Sequence, residues 1–135
     1  MNFGQWATAL LEFGEWPVTQ EKLTGVVAWQ VATASPCSCN PLEATEPGAG
    51  SCRWGATDLQ DYPNVQIGLE AIFSTLHNGR YRNVLAVLTD EGASAYSLAQ
   101  AVGDSPWGTR NFTVAVDAVR ADPAPYFDRP VCGSE

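Results

Sequence analysis

The sequence predicts a small, mainly α domain (α+β, with one short hairpin at most), a long irregular loop set among its helices, and an extended arm at the C-terminus. Three observations carry this. Apolar residues recur at spacings of three and four through five separate stretches. That period is lost between Ser35 and Asn64, where Pro36, Pro41, Pro47 and Pro63 fall together with Gly48, Gly50 and Gly55. The length, 135 residues, suits one domain around one core, because a chain of ~150 residues buries roughly two-thirds of its unfolded surface.

Taken in order, Phe3, Trp6, Ala7, Leu10 and Leu11 form the stripe of a first helix over Phe3 to Phe13, with Gly14 placed to stop it. Thr19 is positioned to cap a second helix, with Val18 before the cap and Leu23 inside as a hydrophobic staple. This helix runs through Val26, Val27, Gln30 and Val31 and ends before Pro36. Within the irregular stretch that follows, short strands are placed near Trp54 to Leu59; a loop of such length in so small a domain is usually functional.

A third helix carries Val65, Leu69, Ile72 and Leu76 on one face, with Gly79 as its cap. A fourth spans Arg82 to Leu88, and a fifth begins at Ser94 and carries Leu98, Ala99 and Val102. Phe112, Val114 and Val116 alternate with polar or small residues, which reads as a strand, with a short helix as the alternative. From Asp122 onward Pro123, Pro125 and Pro130 break any period, so an extended arm is expected. The organisation is thus a domain over 1–111 and a C-terminal strand or helix with its arm over 112–135.

Composition excludes several classes of function. Seven basic residues against fifteen acidic ones give a net charge of -8, which repels polyanions such as nucleic acid. Arg80 and Arg82 are the one close basic pair. No basic residue precedes Lys22, so no signal-peptide n-region is expected. No apolar run approaches the ~18 residues of a membrane span. A soluble chain that leaves its cell by lysis or within a particle is the expectation. A single histidine, His77, excludes metal sites that need two imidazoles, and no cofactor is called for.

The residues most able to carry chemistry fall in an ordered string. It opens with Gly25-Val-Val-Ala-Trp-Gln-Val-Ala-Thr-Ala-Ser35 and Asn40-Pro-Leu-Glu-Ala-Thr-Glu-Pro47. Gly55-Ala-Thr57, Asp61-Tyr-Pro63, Gly68-Leu-Glu-Ala71, Thr75-Leu-His-Asn-Gly-Arg-Tyr81 and Ser105-Pro-Trp-Gly-Thr109 follow. From about Leu10 to Thr109 this string resembles the lysozyme-like muralytic domains found in phages of Gram-positive, especially actinobacterial, hosts. The resemblance implies a lysozyme-like fold and cleavage of peptidoglycan glycan strands. In such domains a carboxylic acid at the end of a helix protonates the glycosidic oxygen.

At that position this chain departs from the pattern. Counting on from Trp29, the acid's place is held by Thr33, followed by Ala34 and Ser35. A threonine hydroxyl is far too weak an acid, and general acid catalysis typically contributes roughly 10²–10⁴-fold. Glu43 and Glu46, in the loop that would line the cleft, are the possible substitutes; as solvated loop carboxylates they would do nothing catalytic. Asn40, Trp54, Tyr62 and Tyr81 are the glycan-binding candidates, the aromatics by stacking on sugar faces. Against these stand a loop-fixing role for Asn40 and core packing for the aromatics, the reading preferred for Trp29 and Trp107.

Four cysteines, Cys37, Cys39, Cys52 and Cys132, stand outside the resemblance. Disulfides are expected ahead of free thiols, and a zinc site ranks last because Cys-x-Cys is tighter than the usual knuckle. The preferred pairing joins Cys37 or Cys39 to Cys52, with Cys132 tying the arm to the cysteine that remains.

The readings that follow are ranked. First stands a virion component, at a tail tip or baseplate, that binds peptidoglycan or holds neighbouring subunits and no longer cuts. It would be made in the host cytoplasm and act at the host cell wall. The alternative is a working glycosidase or lytic transglycosylase that uses Glu43 or Glu46. A host-side regulator that mimics the fold is third.

Overall fold

The computed structural model describes residues 1–132 and is mainly helical. Among the described residues the elements are α1 (Phe3–Phe13), α2 (Gln20–Thr33), β1 (Cys52–Arg53), β2 (Gln60–Asp61), α3 (Val65–Leu76), α4 (Arg82–Thr89), α5 (Ala95–Gly103), α6 (Phe112–Ala121) and α7 (Ala124–Phe127). The two strands pair antiparallel, Cys52 opposite Asp61 and Arg53 opposite Gln60. They flank the stretch where strands were expected: Trp54 to Leu59 forms the turn between them, and the Trp54 N–H donates to the Leu59 carbonyl across it at 2.7 Å.

Helix α2 is the centre of the molecule. Val26, Val27, Ala28 and Trp29 are consecutive and all have 0% exposure. Four successive residues point to every side of a helix, so α2 is enclosed rather than laid on a surface. It packs against α6, α5, α1 and α7. Gly25 permits the approach of α5, since a Cβ there would meet Leu98 at 3.0 Å and the Ala95 Cα at 3.4 Å.

The start of α2 is anchored by side chains as well as by packing. Thr19 caps it by accepting from the Lys22 N–H at 3.1 Å, as the sequence predicts. Lys22 itself has 0% exposure, and its Nζ donates to the Asp90 carbonyl at the end of α4, 2.5 Å away. Burial draws its ammonium below the usual lysine range, partly offset by the nearby Asp90 and Glu91 carboxylates. Glu21 is more than a helix-start charge: its Oε1 accepts from the Ala95 N–H and from Arg120. Arg120 and Glu21 are both about two-fifths exposed, so their ion pair adds little to stability.

Two expectations for the C-terminal part are corrected. Residues 112–117 are not a strand: they open α6, whose Phe112, Ala115, Val116 and Val119 are buried against α2. Their i, i+3, i+4, i+7 spacing is helical, and the apolar alternation that suggested a strand includes Val114, which is 65% exposed. The tail is not extended throughout, because α7 forms one helical turn whose Phe127 ring lies over Gly4 of α1. Beyond α7 the chain runs back along the N-terminus: the Phe3 N–H donates to the Arg129 carbonyl and the Val131 N–H to the Met1 carbonyl. Gly133–Glu135, the end of the expected arm, lie outside the described residues.

One disulfide joins Cys39 to Cys132 across 93 residues of sequence. The arm is thus tied to one of the close pair of cysteines, as expected, but the expected second bridge is absent: Cys37 and Cys52 are free. Cys52 sits on β1, paired to β2, and the backbone of Ser38 bonds to Tyr62 beyond β2. The Cys37 segment and Cys52 therefore lie on opposite sides of β2. With two of the four thiols consumed, a four-thiolate zinc site cannot form; among the described residues no group of three or more His, Cys, Asp or Glu is placed to hold a metal. No helix there is long and apolar enough to cross a membrane.

Closing so long a loop restricts the unfolded chain strongly. Cys132→Ser is expected to lower unfolding free energy by about 2–4 kcal/mol, whereas Cys52→Ser stays within about 0.5 kcal/mol. Urea titrations of the two variants under non-reducing conditions check this.

Candidate functional site

The end of α2 builds one wall of a groove. Thr33 is its last residue, and Ala34 stops the helix in the left-handed region (φ 48°). The Thr33 hydroxyl donates to the Trp29 carbonyl at 2.7 Å, one turn back. The chain then enters the irregular loop, in which a fully buried amide clamps the backbone. Asn40 has 0% exposure; its Nδ2 donates to the carbonyls of Ala44 (2.9 Å) and Gln60 (2.8 Å), and its Oδ1 accepts from the Ala44 N–H (2.8 Å). Asn40 is thus the loop-fixing residue of the two readings, out of reach of any ligand.

That clamp presents Glu43. Its neighbours Leu42 and Ala44 are buried, its N–H donates to the Asn40 carbonyl at 3.2 Å, and its own backbone is left-handed (φ 59°). An L-residue held there carries roughly 1–2 kcal/mol of strain. Burial raises the Glu43 carboxyl above the usual glutamate range.

The facing wall comes from the segment after α5. The Trp107 indole N–H donates to the Leu42 carbonyl at 2.8 Å, tying this segment to the Glu43 turn, and the Trp29 N–H donates to the Thr109 hydroxyl at 3.0 Å. Trp107 packs edge-on against Trp29 and Tyr81, with ring centroids 5.3 and 5.6 Å apart.

Three cavities follow one another along these walls. One, of about 340 Å³, is lined by Thr33, Leu42, Glu43, Leu59, Trp107, Thr109 and Arg110. The next, of about 170 Å³, shares Glu43 and Trp107 and adds Thr75, Tyr81 and Pro106. The last, of about 280 Å³, shares Tyr81 and Pro106 and extends over Arg80 and Arg82. Among the described residues Glu43 is the sole carboxylate lining the first two.

The structure therefore brings together Thr33, Glu43 and Tyr81 and leaves the other predicted residues elsewhere. Glu46 lines none of the three cavities; its carbonyl accepts from the Tyr62 hydroxyl at 2.6 Å. Tyr62 is 2% exposed, so its ring is core and offers no face to a sugar. Trp54 is 39% exposed but stands on the hairpin turn, outside these cavities. Cys37 is buried, and burial pushes its thiol up, away from a reactive thiolate. His77, at the end of α3, stacks on Phe73 and Trp16.

Trp107 is a stacking candidate for which core packing is the preferred reading from the sequence. It packs against the core as expected, but it also walls two of the cavities. Its place in Ser105-Pro-Trp-Gly-Thr109 was visible; its double role arises only where α2 and the loop meet. No family model matches the chain, and neither any curated protein nor any solved structure matches it.

Two outcomes are expected from this geometry. Glu43→Gly relieves the left-handed backbone and the partly desolvated charge together and should raise stability by about 1 kcal/mol at pH 7, read by urea denaturation. Tyr62 has its phenol pushed up from 10 to about 12, chiefly by burial. The folded state therefore holds a proton that the unfolded state has lost between those values, and the associated stability, present below pH 10, is lost as pH rises toward 12. Tyr62→Phe should remove roughly 2–3 kcal/mol of that alkaline loss, measured as stability against pH.

Proposed function

We propose that this chain is a lysozyme-like virion subunit, at a tail tip or baseplate, that holds cell-wall glycan in the groove beside Trp107 without cutting it. The supporting observation is the residue at the groove wall where α2 ends. Thr33 stands there, its hydroxyl bonded to the Trp29 carbonyl, where the resemblance calls for a carboxylic acid. An alcohol bound in that way cannot protonate a leaving oxygen at neutral pH. The groove otherwise suits a sugar strand: Trp107 brings apolar ring surface, while Thr33, Thr75 and Thr109 bring hydroxyls.

A second reading, a working glycosidase or lytic transglycosylase, has one specific observation in its favour. Glu43 shares a cavity with Thr33, and burial raises its carboxyl, as a proton donor requires. Against its hydrolytic form, Glu43 is alone: hydrolysis with retention or inversion uses two carboxyl groups across the bond, and among the described residues no second one lines these two cavities.

Zymography on actinobacterial cell walls separates the two. The first reading expects no clearing by the natural protein, retention on purified sacculi, and a gain of clearing in Thr33→Glu. Clearing by the natural protein that disappears in Glu43→Gln would establish the second reading and overturn the first.

A further inference from the structure

We infer that the Arg80–Arg82 end of the groove is a subsite for the carboxylates of a glycan strand's peptide stems, an assignment that rests on the glycan reading above. The chain carries a net charge of -8, so an anionic ligand meets general repulsion and needs a local cationic seat. Three of the seven basic residues line the groove: Arg110 beside Thr33 and Glu43 at one end, and Arg80 and Arg82 at the other. The remaining four are placed elsewhere, with Lys22 buried under α4 and Arg120 paired to Glu21.

The cavity at this end, about 280 Å³, joins the middle one through Tyr81 and Pro106. A strand lying across Trp107 and Tyr81 would thus bring its substituents onto Arg80 and Arg82. Both arginines are exposed, and the one ion pair among the described residues is Arg120–Glu21, so neither guanidinium is engaged by a described carboxylate. Among the described residues Asp104 is the one carboxylate lining this cavity, against two guanidinium groups. A guanidinium fork matches a carboxylate in two parallel hydrogen bonds. The amide of Asn83 and the hydroxyl of Ser105, which line the same cavity, can complete the polar contacts of a peptide.

The test compares three ligands by titration calorimetry on the full chain. They are a neutral N-acetylglucosamine oligosaccharide, a muropeptide with free stem carboxylates, and the same muropeptide with those carboxylates amidated. The free-acid muropeptide should bind about fivefold more tightly than its amidated form, and raised salt should shrink that difference. Arg80→Gln/Arg82→Gln should abolish the preference while leaving affinity for the neutral oligosaccharide unchanged; circular dichroism checks that the variant is folded. Equal affinity for the acid and amide forms, or a preference that survives in the double variant, overturns the inference and leaves glycan binding standing. Failure of all three ligands to bind overturns the inference and the glycan reading together.

Discussion

The complete enclosure of α2 is the constraint on which the rest of the structure depends. Four consecutive fully buried residues from Val26 to Trp29 leave no face for solvent, so helices must close on it from all sides. That requirement draws α6 into the core and brings the tail with α7 against α1. It also means that α2 can meet solvent only at its ends. Its first turn is secured by Lys22 and Glu21 to three other helices. Its last residue, Thr33, comes out at the groove wall.

A second layer of constraint shapes the irregular loop, which has little regular hydrogen bonding of its own. Asn40 supplies what a third strand would have supplied, binding the backbone at Ala44 and at Gln60. Such a buried amide stabilises the loop because all its partners are met; losing one would leave a desolvated backbone group behind. Close contact adds to this. A Cβ on Gly68 would come within 2.4 Å of the Cys39 carbonyl, so only glycine lets α3 lie this near the loop. The disulfide to Cys132 leaves from the same residue. The clamp, the close approach and the covalent tie thus meet within two residues, just before Glu43.

The placement of Glu43 illustrates how backbone strain and chemistry coincide. A half-buried, left-handed glutamate without an ion-pair partner among the described residues is unfavourable on both counts, and its position is imposed by the buried residues on either side. Whether such a carboxyl acts depends on its company. In this groove the company is an alcohol, an indole and an arginine.

Much of the fold was legible in the sequence because helical periodicity is a local property. The stripe of α1, the Thr19 and Ser94 starts, and the face of α3 all follow from spacings within a turn or two. The residues of α6 misled because Phe112, Val114 and Val116 satisfy a two-residue period over a short span, and only packing on α2 decides for the helix. Within the site, the sequence by itself determined that an alcohol occupies position 33 and that two glutamates follow in the loop. It could not separate Glu43 from Glu46, nor Tyr81 from Tyr62. Glu43 and Tyr81 line the cavities and Glu46 and Tyr62 do not, a difference set by contacts between segments distant in sequence. The same holds for the cysteines: spacing limits which pairs can form, but the passage of β2 between the Cys37 segment and Cys52 decides which one does.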